Sequence, residues 1–95
     1  MATLFPVNDI ACHVPSPSDD TKKWNYRDLQ RVVGGTFELL FPLHRLDCRQ
    51  VLVVNEEGAL RKLPVNWEAT DLWRTWGGSD RLRGPVLLLK LSEIE

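Results

Sequence analysis

The two cysteines and two histidines of this chain are the residues best suited to bind a metal ion. They occur as the pair Cys12-His13 and as His44 and Cys48, and two thiols with two imidazoles are a sufficient ligand set for zinc. Side chains of adjacent residues diverge, however, and neither pair has the C-x2-C spacing of most zinc sites. We therefore interpret the four as ordinary loop residues and predict neither a metal nor a cofactor.

A nucleophilic cysteine and a pair of carboxylates are the two arrangements that could support catalysis. Neither Cys12 nor Cys48 has a glycine-rich elbow or an obvious oxyanion hole beside it. Glu56 and Glu57 are paired carboxylates of the kind used in acid–base chemistry, but they lie at a predicted hairpin tip where water solvates both. The sequence therefore predicts a protein that is not an enzyme.

Residues 77–84 contain glycines and two arginines, so this segment could bind an anion. It lacks the Gly-Lys-Ser/Thr ending of a phosphate-binding loop, and Asp80 opposes the charge of the arginines. A flexible connection is the simpler interpretation. The alternative function is a small-ligand-binding domain or minor enzyme with a pocket beside this loop. The polar groups of that pocket would be Asn55, Asn66, Arg81 and Arg83.

Trp67 is the tryptophan whose role the helical pattern leaves open. The second predicted helix has an apolar stripe at i, i+3, i+4 and i+7 spacing, formed by Ala69, Leu72, Trp73 and Trp76. Trp67 points away from this stripe, on the side of Asp71 and Arg74. A Trp beside an Arg on the outside of a short helix is the composition of a binding hot spot. The competing interpretation is that Trp67 folds back over Leu63 and Pro64.

Length and composition indicate one ordinary globular domain. The chain has 95 residues, with 12 Lys or Arg against 13 Asp or Glu and a net charge of −1. This balance disfavours nucleic acid as a partner, because no overall basic field attracts phosphate. The longest apolar run, residues 86–89, is far too short to cross a membrane, and no apolar leader opens the chain. We therefore expect a cytoplasmic protein with no membrane partner.

The first predicted helix begins at Asn25, a suitable N-cap, and ends at Gly34, which can take the left-handed conformation. Trp24, just before the cap, can pack on Leu29 as a hydrophobic staple. Residues 37–43 place an apolar side chain at every second position, which is typical of a half-buried strand. The first half of the chain therefore predicts a helix followed by a strand.

The second half of the chain predicts two further strands around a second helix. Residues 51–54 are apolar on both faces, which indicates an interior strand. Gly58 is expected to supply the positive φ of a hairpin turn, from which the chain returns as a strand over residues 60–63. Asn66 is the expected N-cap of the second helix, and residues 85–91 are expected to form a last, central strand.

These elements predict an α+β fold in a single domain over residues 1–95, with its core at about residues 24–91 and an exposed loop at residues 12–23. The sheet is expected to be mostly antiparallel, with about four or five strands, and the two short helices are expected to pack on one face. Residues 2–7 are expected to be an edge strand, because Pro6 cannot donate within a central ladder. Such an edge would permit a homodimer by strand addition.

Four blocks occur in order along the chain: LQRVVGG at residues 29–35, VLVVNEEG at 51–58, LPVNWEAT at 63–70 and GPV at 84–86. With these blocks the chain resembles a family of small uncharacterised domains found mainly in bacteriophages, plasmids and bacteria. The resemblance implies a mobile-element context but no activity, cofactor or catalytic residue. The chain departs from the family pattern at Val65, where a second proline is usual, and in residues 67–83, which are longer and richer in tryptophan.

We therefore expect a small non-enzymatic protein-binding module, associated with a phage or plasmid, that acts on a host or phage protein complex. Inhibition of host defence is one version, and it follows from the resemblance alone. The expected contact surface combines the outer side of the second helix with the acidic hairpin tip. Its residues are Trp67, Asp71, Arg74, Glu56 and Glu57.

Overall fold

The computed structural model describes residues 2–7, 10–14, 23–42 and 49–94. Within them lie the strands β1 (Ala2–Phe5), β2 (Cys12–Val14), β3 (Phe37–Leu40), β4 (Gln50–Asn55) and β5 (Val86–Lys90), the helices α1 (Tyr26–Val33) and α2 (Trp67–Thr75), and a 3-10 turn (Leu91–Glu93). The strands form one sheet in the order β2-β1-β5-β4-β3, with every neighbouring pair antiparallel. The α+β class, the largely antiparallel sheet and the central position of the last strand are confirmed.

The two helices pack against opposite faces of the sheet, so the prediction of one shared face is wrong. Val51 of β4 packs in a cluster with Leu29 of α1, whereas the next residue, Leu52, packs in a second cluster with Trp73 of α2. Successive side chains of a strand point to opposite faces. A strand that is apolar on both faces therefore needs cover on both sides, and each helix supplies one cover.

The ends of α1 are formed as the sequence predicts. The Asn25 side chain accepts a hydrogen bond from the Asp28 backbone N–H at 2.9 Å, and the Asp28 carboxylate accepts one from the Asn25 N–H at 3.4 Å. Gly34 ends the helix in the left-handed region with φ 83°. Trp24 and Leu29 are both buried in the α1 cluster, as expected of a staple. These contacts fix α1 over the face formed by alternate residues of β4 and β5.

The N-terminal strand is interior, so the prediction of an edge strand at residues 2–7 is wrong. β1 pairs with β5 on one side and with β2 on the other. β2 comes from the first three residues of the predicted loop 12–23, and it takes the edge position instead. Pro6 directly follows β1, so its missing N–H removes nothing from the ladder. Dimerisation through a free edge of β1 is therefore excluded, because that edge is already paired.

No strand returns over residues 60–63, so that prediction is also wrong. The chain continues from β4 into a compact turn of residues 56–62, inside which the Arg61 N–H donates to the Glu57 carbonyl at 2.8 Å. Both sides of β4 are already occupied, by β3 and by β5. A returning hairpin strand therefore has no place beside β4.

Gly58 is required for space and not for a positive φ. A Cβ at this position would lie 3.1 Å from the Cβ of Arg83 and 3.3 Å from its carbonyl oxygen, so a side chain would press on the neighbouring loop. The positive φ of the turn falls instead on Lys62, at 55°. The prediction of a positive φ at Gly58 is wrong because it assumes the usual role of a glycine in a turn, which is backbone freedom.

We expect Lys62→Gly to stabilise the chain by about 0.5 kcal/mol. The left-handed conformation costs a residue with a Cβ about 1 kcal/mol, and the greater freedom of glycine in the unfolded chain offsets part of that gain. Urea denaturation monitored by tryptophan fluorescence measures the change. Lys62→Ala is the control, because it keeps the strain while removing the charged side chain. A glycine variant no more stable than the alanine variant would contradict this interpretation of the turn.

Candidate binding site

Asn66 holds the start of α2 in place. Its side-chain oxygen accepts a hydrogen bond from the Ala69 backbone N–H at 3.2 Å, which confirms the predicted N-cap. Its side-chain nitrogen donates to the carbonyl oxygens of Phe5, at 2.7 Å, and Gly84, at 2.9 Å. Asn66 is only 2% exposed, and both side-chain N–H groups and the side-chain oxygen take part in these structural bonds. The side chain joins α2 to the ends of two strands of the sheet.

Thr70 joins the loop of residues 79–83 to the same helix. Its hydroxyl donates to the Asn66 carbonyl at 2.7 Å and accepts from the Leu82 N–H at 2.9 Å. The Asn66 N–H donates in turn to the Leu82 carbonyl at 2.7 Å. Because these groups are buried, the bonds hold the loop in one position relative to α2.

Trp67 lies on the outside of α2 and is 54% exposed. It belongs to neither hydrophobic cluster, whereas Trp73 and Trp76 are buried in the α2 cluster as predicted. The Arg81 guanidinium carbon lies 5.6 Å from the centre of the Trp67 ring, within range of a cation–π interaction. The exposed indole therefore has an arginine over its ring on the loop side.

Asp71 and Arg74 share the exposed side of α2 with Trp67. Both are exposed, and positions i, i+4 and i+7 of a helix lie along one side. We call Trp67, Asp71 and Arg74 the α2 outer face. This part of the predicted contact surface is brought together by the helix.

A groove of about 480 Å³ lies beside the α2 outer face. Residues from β3, β4, α2, the 56–62 turn and the 79–83 loop line it. Its apolar part is contributed by Leu40, Val54, Trp73 and Leu82, which pack in or against the α2 cluster, and by Ala59. The groove forms where the edge of the sheet extends beyond the cover of α2.

Charged side chains of both signs surround the groove. Carboxylates come from Glu38, Glu56 and Asp80, and guanidinium groups come from Arg81 and Arg83. Arg81 also contacts Trp67, so it connects the groove with the α2 outer face. The roles of Glu38 and Asp80 were missed from the sequence. Glu38 is the one charged residue of β3, which is a signal of a polar position, but its neighbours come from distant parts of the chain.

Of the predicted hairpin-tip acids, Glu56 lines the groove and Glu57 does not. Both are exposed, as expected. The Glu57 carboxylate accepts a hydrogen bond from the Thr36 hydroxyl at 3.1 Å, so it contacts the segment between α1 and β3. The structure therefore brings Glu56, but not Glu57, to the groove that adjoins Trp67.

The small-ligand pocket predicted near residues 77–84 is only partly formed. Asn55, Arg81 and Arg83 line the groove, but Asn66 is turned away into the capping bonds. The Asn55 side chain is also used within the fold, since it donates to the Val33 carbonyl at 3.0 Å and accepts from the Glu57 N–H at 2.8 Å. Two of the four expected ligand-binding groups are therefore occupied.

Cys12 and His13, the metal and nucleophile candidates that the structure describes, are separated from this site. Cys12 and His13 are exposed on β2, where adjacent side chains point to opposite faces, and the hydroxyl of Thr3 lies 3.3 Å from the His13 ring. His44 and Cys48 lie outside the described residues. In the part of the chain that the structure describes, no three His, Cys, Asp or Glu side chains are grouped to hold a metal ion. No helix in the same residues is long and apolar enough to cross a membrane.

The comparisons with known proteins give a family and no individual relative. No curated protein and no solved structure matches the chain. A family model described as "Domain of unknown function (DUF3846)" matches residues 10–95, which includes all four sequence blocks and the tryptophan-rich segment 67–83. The resemblance to a family of uncharacterised domains is therefore confirmed. The chain belongs to the DUF3846 family of domains of unknown function.

Proposed function

We propose that this chain is a small non-enzymatic module that binds another protein through a surface centred on Trp67. The observation that carries the proposal is an exposed indole, 54% accessible, with the Arg81 guanidinium carbon 5.6 Å from its ring centre. Tryptophan and arginine are the residue types most enriched among binding hot spots. Asn66 holds the start of α2, which carries Trp67, and Thr70 holds the 79–83 loop, which carries Arg81. The backbone at both residues is therefore already ordered before a partner binds, which lowers the entropy cost of binding.

The rest of the proposed surface consists of charged residues around Trp67. Asp71 and Arg74 extend it along the α2 outer face, and Glu56 extends it to the 56–62 turn. Glu57, which accepts a hydrogen bond from Thr36, lies at the margin of this surface. Charges around an apolar centre determine orientation and partner choice more than affinity. The mixture of both signs also favours a protein over a nucleic acid, which would need a basic face.

The proposed setting is the cytoplasm of a bacterial cell, with the chain encoded by a phage or plasmid and its partner a host or phage protein complex. Inhibition of a host defence complex is a concrete version. This part of the proposal depends on the resemblance of the four sequence blocks, and the α2 outer face supports only the contact itself. The chain has 12 basic and 13 acidic residues. This near-neutral charge is compatible with a soluble protein complex as the partner.

A second candidate function is the binding of a small ligand in the groove. Its volume of about 480 Å³ lies in the range of ligand pockets, about 300–1,000 Å³. The occupied side chains of Asn55 and Asn66 count against it, because few polar groups remain to orient a ligand. We therefore rank it below protein binding.

Affinity purification from cells that naturally express the chain tests the proposed surface. We expect a stoichiometric protein partner with the wild type and at least about a tenfold lower yield with Trp67→Ala/Arg74→Ala, since hot-spot truncation costs about 2 kcal/mol or more. Tyr26→Ala is the matched control, because Tyr26 is 62% exposed but lies on α1, across the sheet. Circular dichroism checks that all variants fold. Equal recovery with the double variant, or no partner at all, would contradict the proposal.

A further inference from the structure

The groove beside Trp67 combines apolar and charged lining residues. Leu40, Val54 and Trp73 contribute to its apolar surface, and its volume is about 480 Å³. The methylene groups of arginine and lysine commonly lie along apolar surface while their charged ends stay at a polar rim. A groove with this lining therefore suits a side chain that combines an aliphatic stem with a polar end.

The carboxylates at the rim are available to a ligand. Glu38, Glu56 and Asp80 are exposed, and within the described residues none of their side chains makes a hydrogen bond or ion pair. A cation that enters the groove would meet these carboxylates without displacing any partner from the described part of the chain. The groove can therefore bind positive charge at little structural cost.

Each of the two arginines of the groove makes one contact within the fold. The Arg83 guanidinium donates to the Leu63 carbonyl at 3.0 Å, and the Arg81 guanidinium lies over the Trp67 ring. An anionic ligand would have to compete for these groups while facing three carboxylates. Neither contact neutralises a guanidinium group, so the groove is lined by three carboxylates and two guanidinium groups, a net charge of −1, and a basic ligand is the complementary one.

The three carboxylates of the groove come from separate segments of the chain: Glu38 from β3, Glu56 from the 56–62 turn and Asp80 from the 79–83 loop. Within the described residues, no three of the His, Cys, Asp and Glu side chains are grouped to hold a metal ion. A peptide segment differs from a metal ion in that its side chain and backbone extend along a groove and can reach separate carboxylates. The arrangement therefore fits an extended basic segment better than a single cation.

We propose that the groove binds a basic segment of the protein partner, with an arginine or lysine side chain lying over Trp73 and the positive charges of the segment distributed among Glu38, Glu56 and Asp80. This inference rests on the proposed protein-binding function and names the chemistry of the partner. Arg81 belongs to the groove and to the α2 outer face, so a partner that covers Trp67 also reaches the groove. One continuous interface then contains an aromatic centre and an acidic groove.

Selection of random peptides of about twelve residues on the immobilised chain, followed by fluorescence anisotropy of the best peptide, tests the chemistry directly. We expect enriched peptides to contain Arg or Lys, and replacement of that residue by Gln to weaken binding at least about tenfold. Glu38→Gln and Asp80→Asn should each weaken binding about twofold to fivefold, as for exposed ion pairs. Glu68→Gln removes the same charge from an exposed position outside the groove and should leave binding unchanged. Enrichment of neutral or acidic peptides, or equal effects of all three variants, would overturn the proposal.

Recovery of the natural partner with two double variants tests this inference separately from the proposed function. If recovery of the partner falls with Trp67→Ala/Arg74→Ala but not with Glu38→Gln/Asp80→Asn, the basic segment is overturned and protein binding stands. If neither double variant lowers recovery, both are overturned. Analytical ultracentrifugation of the chain alone tests whether a second copy of the chain occupies the groove. A dimer that dissociates in Glu38→Gln/Asp80→Asn would assign the groove to that second copy and overturn the inference.

Discussion

Gly78→Ala is expected to destabilise the chain by about 3 kcal/mol, near the upper end of the cost of overpacking a core. A Cβ at this position would overlap the indole ring of Trp73. The ring cannot move outward freely, because Trp73 is buried in the α2 cluster. The Gly78 backbone is also restrained, since its N–H donates to the Trp73 carbonyl at 2.9 Å. Relief of the overlap therefore requires either Trp73 with α2 or the segment of residues 77–79 to shift, and the second movement breaks the hydrogen bond to Trp73.

Urea denaturation of Gly78→Ala, Gly34→Ala and Ser79→Ala separates this overlap from other costs. Gly34 has φ 83° and no atom within 4 Å of an added Cβ, so its variant should lose only about 1 kcal/mol from backbone strain. Ser79 is exposed beside Gly78, and its variant should change stability by less than about 0.5 kcal/mol. A loss for Gly78→Ala no larger than that for Gly34→Ala would show that α2 does not pack as described.

Asn66→Asp is expected to destabilise the chain by about 3 kcal/mol, although aspartate is as good an N-cap as asparagine. The introduced carboxylate could still accept from the Ala69 N–H. It could not donate to the carbonyl oxygens of Phe5 and Gly84, and it would place a buried negative charge against both. The loss comes from two unpaired carbonyl groups and an unfavourable charge in a site that water does not reach.

Asn25→Asp is the matched control, because Asn25 caps α1 in the same way but is only half-buried. We expect its stability to change by less than about 0.5 kcal/mol. The pH dependence gives a second test. Burial beside two carbonyl oxygens raises the pKa of the carboxyl introduced at position 66, so the folded state binds its proton more tightly than the unfolded chain does. The penalty should therefore shrink as the pH falls, relative to Asn25→Asp. A cost that is small, or constant with pH, would contradict the buried double donation of Asn66.

The sequence predicted the local elements of the fold better than their arrangement. Caps at Asn25 and Asn66 and the apolar run 51–54 depend on neighbouring residues, and all are found where expected. The side of the sheet that each helix covers depends on contacts between distant segments. An apolar stripe on α2 shows that the helix packs on an apolar surface, but it does not show which face of the sheet provides that surface. The doubly apolar β4 requires cover on both faces of the sheet, which is consistent with one helix on each side.

In the N-terminal region and in the turn after β4, the predictions from the sequence are wrong for a different reason. β2 has only three described residues of mixed polarity, so no alternation signals it, and without β2 the neighbouring β1 looks like an edge. Gly58 lies close to Arg83, which is remote in the sequence, so the need for a missing Cβ there cannot be predicted locally. Both errors come from pairings that only the folded chain creates.

The candidate site divides in the same way. Helical periodicity placed Trp67 on the outside of α2, and the structure shows it exposed there. The contact with Arg81 was not predicted, because the path of the 79–83 loop is set by buried bonds of Thr70 and Asn66. The groove joins Glu38 of β3 with Asp80 of that loop for the same reason. Residue type and helix phase thus suggested the centre of the surface, and tertiary contacts supply its surroundings.

Site-specific photocrosslinking tests the central claim, contact between a protein partner and Trp67, most directly. A photoreactive phenylalanine derivative replaces Trp67 in one variant and Tyr26 in another, and both are irradiated in cells that naturally express the chain. These positions are both exposed aromatics, on helices that cover opposite faces of the sheet. We predict one defined protein adduct from position 67 and none of that adduct from position 26. An adduct of equal yield from both positions, or from position 26 alone, would contradict the claim.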